Sequence, residues 1–104
     1  MQLLKDYSLK AVIFHGFIGS VEQAQRAVKQ GYYLSFGART EGSKKTIEAL
    51  RVTPLDRLFV ETDEAEVTIE AMYQTIARLR DIEVEELKRA TAANYKRIFT
   101  KEDE

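Results

Sequence analysis

The chain has 104 residues, with 16 Lys and Arg against 17 Asp and Glu, one His, no Cys and 44% hydrophobic residues, the composition of one globular domain. Its longest apolar run, Ala11-Val12-Ile13-Phe14, is too short for a transmembrane helix or a signal-peptide core, and the absence of Cys excludes a disulfide framework and a thiolate zinc site. A net charge of −1 excludes a general nucleic-acid coat and a basic membrane-binding surface, which need a large positive excess, and makes a cytoplasmic location the default.

Met1 to Tyr7 has the pattern of the last turns of a helix, and Leu9 to Phe14 reads as a strand ending at His15-Gly16. Ser20 and Gln23 have capping-box spacing at the start of a helix that carries Val21, Ala24, Ala27 and Val28 on one face and stops at Gly31. Tyr32 to Phe36 repeats the strand signal, a short helix with Ile47, Ala49 and Leu50 follows, and Pro54 closes it. Leu58 to Glu61 is a third strand, leading into Thr62-Asp63-Glu64. From Thr68 the period becomes helical, with Ile69, Met72, Tyr73, Ile76 and Leu79 on one stripe; after a break at Asp81-Ile82-Glu83, Val84, Leu87, Thr91, Tyr95 and Ile98 form another. Lys101 to Glu104 is a charged tail. Alternating strands and helices, with strands apolar on both faces, predict a parallel sheet with right-handed crossovers and helices outside.

In such sheets ligands bind at the carboxyl ends of the strands, an edge that collects His15, Ser35 and Asp63. An imidazole there can ligate a metal or move a proton; the plainer alternative is a half-buried His bonded to a nearby backbone group. Glu61 and Asp63, two residues apart, fall on one side of an extended chain and suit a metal or a general base. Their plainer reading has Thr62 and Asp63 capping a turn and Glu61 paired with an arginine such as Arg57. Tyr32, Tyr33 and Phe36 fit a core better than an aromatic nucleic-acid platform. Lys88, Arg89, Lys96 and Arg97 read as a solvated helix face.

Four segments together resemble the TatD family of metal-dependent hydrolases. Phe14-His15-Gly16-Phe17-Ile18-Gly19-Ser20 is similar to the family's H-C-F-S-G-S strand-to-helix segment, and Gly31 to Gly37 to its next strand. Pro54-Leu55-Asp56-Arg57-Leu58-Phe59-Val60-Glu61-Thr62-Asp63 resembles P-x-D-R-L-L-L-E-T-D-A-P, and Thr91-x-x-Asn94-Tyr95-x-Arg97-Ile98-Phe99 resembles the closing T-x-x-N-x-x-R-L-F helix. Gly16 stands where the family has Cys, and Glu64-Ala65-Glu66 where it has A-P, a pattern similar to a short subgroup with a trimmed final loop.

The resemblance implies a TIM-type (β/α)8 barrel that holds divalent cations (Zn, Mg or Mn) at its strand mouths and hydrolyses phosphodiester bonds, DNA among the substrates. By it His15 is a metal ligand on the sixth strand. Asp63 is the ligand on the eighth and the catalytic carboxylate that takes a proton from water, while Glu61 is a supporting residue. The family's H-x-H, its Glu on the fourth strand and its His on the fifth have no counterpart here. Residues 1–104 are therefore expected to form a single partial-barrel domain, the C-terminal three β/α units, inactive alone because two ligands do not complete a catalytic site.

Two unpaired sheet edges, and inner faces carrying Val12, Phe14, Leu34, Phe36, Phe59 and Val60, predict a homo-oligomer or a complementing N-terminal segment as partner. Two alternatives from other classes are a non-catalytic assembly module that associates through those edges and a small ligand-binding α/β domain unrelated to TatD, which leaves four motif matches to accident.

Overall fold

The structure, a computed structural model, describes residues 12–62 and 67–99. Three strands, β1 (Ile13–Phe14), β2 (Tyr33–Phe36) and β3 (Leu58–Val60), form one parallel sheet in the order β1-β2-β3. Ile13 lies beside Tyr33, and Leu34, Ser35 and Phe36 lie beside Leu58, Phe59 and Val60. Helices α1 (Val21–Lys29) and α2 (Lys44–Val52) connect the strands, and α3 (Ile69–Arg80) and α4 (Val84–Phe99) follow β3. The strand expected over Leu9 to Phe14 is described only from Val12 onward; its beginning, the helical turn expected over Met1 to Tyr7 and the charged tail lie outside the described residues. No helix among the described residues is long and apolar enough to cross a membrane.

Local chemistry fixes the helix boundaries. Ser20 Oγ accepts from Gln23 N–H and Gln23 Oε1 accepts from Ser20 N–H, the reciprocal pair expected from the sequence. Gly31 ends α1 at φ +88°, a conformation that costs a residue bearing Cβ. Ser43 and Thr68 cap α2 and α3 through N–H groups three residues on. Between α3 and α4 the stop falls on Asp81, at φ 66°.

The core lies between the sheet and the helices. Leu34, Phe36 and Leu58 are fully buried with Ala49, Leu50, Ile76 and Leu87, beside Ala24 and Met72. This corrects the inner-face assignment of Leu34 and Phe36: alternation along β2 turns both toward the helices, while Tyr33 and Ser35 take the opposite face with Phe59, whose ring is 5.5 Å from that of Tyr33.

The stripe on α4 also differs from the expected one. Tyr95 is 58% exposed and Asn94 is fully buried in its place. Its amide donates to the carbonyls of Leu55 (2.9 Å) and Leu58 (2.8 Å). A polar residue is tolerated there because its donors are satisfied by backbone that would otherwise lack partners. Arg97, read as part of a solvated face, donates to Asn94 Oδ1 and to Asp56 O.

Candidate functional site at the strand mouths

β1 hands the chain to His15 and Gly16 in a turn, and Gly16 adopts φ +60°. The following loop is tied down at three points. Phe17 N–H donates to Ser35 O (2.9 Å), Gly19 N–H donates to the buried Thr46 Oγ1 (3.1 Å), and Thr46 bonds Ser43 Oγ (2.8 Å). From the other side, Glu61 N–H donates to Phe36 O (2.9 Å) and extends the β2–β3 ladder by one residue. A Cβ on Gly37 would come within 3.1 Å of Glu61 O, so glycine allows the loop after β2 to pass close to Glu61.

This backbone brings His15 and Glu61 together at the carboxyl end of the sheet. His15 Nδ1 lies 3.0 Å from Glu61 Oε1, with the imidazole side chain 73% exposed and the carboxylate 21% exposed. A carboxylate only accepts, so Nδ1 carries the proton and donates, which leaves Nε2 with its lone pair. A metal-binding histidine takes this form, its second nitrogen held by a carboxylate that fixes tautomer and ring orientation.

The plainer readings are accordingly corrected. His15 is exposed and bonded to a side chain, neither half-buried nor bonded to backbone. Glu61 pairs with His15 rather than Arg57, which lies 4.9 Å over the Tyr33 ring and donates to Tyr33 Oη and Asp56 O. Ser35 is 2% exposed within β2 and does not line the mouth. Tyr33 and Phe36 are core residues, as expected. Asp63 lies outside the described residues; beside it, Thr62 Oγ1 donates to Val67 O (3.0 Å). Among the described residues no three His, Asp or Glu side chains converge, so the donors present fit one histidine corner of a divalent-cation site and not a complete one.

An open groove of about 630 Å3 runs from this turn along β1 and α1. Phe14, Phe17, Ile18 and Tyr32 line it together with His15, and Arg26 and Arg39 add two guanidinium groups. Pattern reading missed both arginines because they come from α1 and from the short helical turn after β2, and only the fold brings them together.

A parallel sheet with outer helices and a histidine–carboxylate pair at its carboxyl edge defines the chain as part of an α/β protein of the TIM-barrel type. Residues 1–100 match the family model described as TatD related DNase, and the chain belongs to that family. It is 33% identical over 114 residues to the uncharacterized metal-dependent hydrolase YabD of Bacillus subtilis (strain 168), a match covering 93% of this chain and 45% of that protein. Among solved structures it resembles YJJV, a TatD homolog from Escherichia coli K12, with a TM-score of 0.76 and 24% identity over 93% of this chain and 43% of the other. It also resembles a TatD family hydrolase from Entamoeba histolytica, with a TM-score of 0.72 and 14% identity over 91% and 45%. The chain thus spans under half the length of each of these proteins.

Proposed function

We propose that the chain is the C-terminal three β/α units of a TatD-type metal-dependent hydrolase acting on phosphodiester bonds, DNA among them, and that it needs the remaining barrel strands for activity. The observation that carries this reading is the His15–Glu61 pair, 3.0 Å apart at the sheet's carboxyl edge, in a chain that belongs to a family described as DNases. In the assembled enzyme His15 and Asp63 contribute two metal ligands, and Glu61 holds the His15 ring so that Nε2 faces the site. Asp63 accepts the proton of the attacking water. Divalent cations (zinc, magnesium or manganese) would supply the Lewis acidity that polarises the phosphoryl oxygen.

Two ligands leave a cation held mainly by water, which neither fixes its geometry nor acidifies bound water enough for hydrolysis at neutral pH. The chain alone is therefore inactive, and a partner carrying H-x-H, Glu and His completes the site. The test measures metal-dependent hydrolysis of a phosphodiester by the chain, by the chain mixed with the N-terminal part of the Bacillus subtilis relative, and by that mixture with Asp63→Asn. Activity is expected only in the unsubstituted mixture. Robust hydrolysis by the chain alone, or undiminished hydrolysis with Asp63→Asn, overturns the assignment.

A further inference from the structure

Among the described residues β1 pairs only with β2, and β3 only with β2, so each outer strand has an edge that none of these residues covers. A groove follows each edge. The first is the 630 Å3 groove beside β1 and α1. The second, about 470 Å3, lies beside β3 and α4 and is lined by Phe59, Val60, Tyr73, Tyr95, Lys88 and Lys96. Neither lining includes an acidic residue. Arg26 and Arg39 are exposed and have no ion-pair partner among the described residues, in a chain whose net charge is −1. Lys88 is paired with Glu70 at 2.8 Å.

This distribution discriminates among occupants of the first groove. A second copy docked edge to edge through β1 brings four arginines together. Docked head to tail, it sets Arg26 and Arg39 against a groove lined by Lys88 and Lys96. Copies of a three-stranded unit also give sheets of three, six or nine strands, never the eight of a closed barrel. The chain's own first ten residues carry Lys5 and Lys10 against a single Asp6, so they bring no net negative charge either.

We infer that the groove beside β1 is the docking site of a separate strand-and-helix polypeptide that presents carboxylates to Arg26 and Arg39, and that these arginines select it over a second copy of this chain. The apolar floor of Phe14, Phe17, Ile18 and Tyr32 supplies area, and the arginines supply partner choice, since like charges across an interface suppress wrong pairings. The inference rests on the reading of the chain as part of a barrel.

The test uses the full chain and, as probe, the part of the Bacillus subtilis relative that precedes the matched region. Calorimetric titration in 20 mM and 300 mM salt is expected to show 1:1 binding that weakens with salt and falls about tenfold in Arg26→Glu/Arg39→Glu. Sedimentation velocity at low salt is expected to show the wild-type chain as a monomer at micromolar concentration. Circular dichroism of the double variant checks that it folds, and single Arg26→Gln and Arg39→Gln variants give smaller losses in the same direction. A stable wild-type homodimer, absence of binding, or binding indifferent to salt and to both arginines overturns the inference. Tighter binding by a chain lacking residues 1–8 also overturns it, because the groove then belongs to the chain's own beginning. A charge-dependent complex that takes up no divalent cation refutes the proposed hydrolytic role and leaves the docking inference standing.

Discussion

Glu61 Oε1 lies 3.0 Å from Nδ1 of His15 although 46 residues separate the two in sequence. The contact fixes the tautomer that leaves Nε2 available, so its loss acts on metal affinity rather than on folding. Glu61→Gln keeps a hydrogen-bond acceptor but removes the charge. In the assembled barrel it is expected to weaken divalent-cation binding roughly 10- to 100-fold with little change in Tm. Metal titration followed by calorimetry checks this, and unchanged affinity refutes it.

Asn94 is the buried tie between α4 and the segment entering β3. Asn94→Ala leaves the carbonyls of Leu55 and Leu58 without their donor and frees Arg97 from Asn94 Oδ1. Buried carbonyls left unpaired cost about 1 to 3 kcal/mol each, so destabilisation of at least about 2 kcal/mol is expected in urea unfolding. Asn94→Asp, which keeps the shape but cannot donate, should fall by a comparable amount.

Ser20 caps the helix that follows the His15 turn. Ser20→Ala removes the acceptor for Gln23 N–H and is expected to cost about 1 kcal/mol, read as a lower Tm. An unchanged midpoint would mean that the loop bonds from Phe17 and Gly19 hold this helix start on their own.

The α3–α4 junction is expected to be a stabilisable weak point. Asp81 takes a left-handed conformation that glycine adopts freely, and Glu83 stands immediately before α4, its carbonyl accepting from Leu87 N–H. Asp81→Gly and Glu83→Ser are each expected to raise Tm, with gains of up to about 1 kcal/mol. Thermal unfolding of both variants checks the two positions independently, and a lower midpoint for Glu83→Ser removes it as a helix cap.

The alternation of elements, the Ser20–Gln23 box, the glycine stop at Gly31 and the four family motifs were legible in the sequence because each depends on residues a few positions apart. Backbone conformation, capping and periodicity are local, so local order of residue types specifies them. Which face of β2 meets the helices, the burial of Asn94 in place of Tyr95, and the pairing of His15 with Glu61 rather than Glu61 with Arg57 depended on the tertiary structure. The strand pattern apolar on both sides allowed Leu34 and Phe36 to face either way, and residues 94 and 95 sit close together on one helical turn. The choices fell to packing against α1 to α4, to the carbonyls of Leu55 and Leu58, and to the parallel register that sets the end of β3 near the end of β1. Contacts across 36 to 46 residues are settled by the whole sheet at once, because burial and hydrogen bonding reward a long-range contact only after the intervening chain has folded.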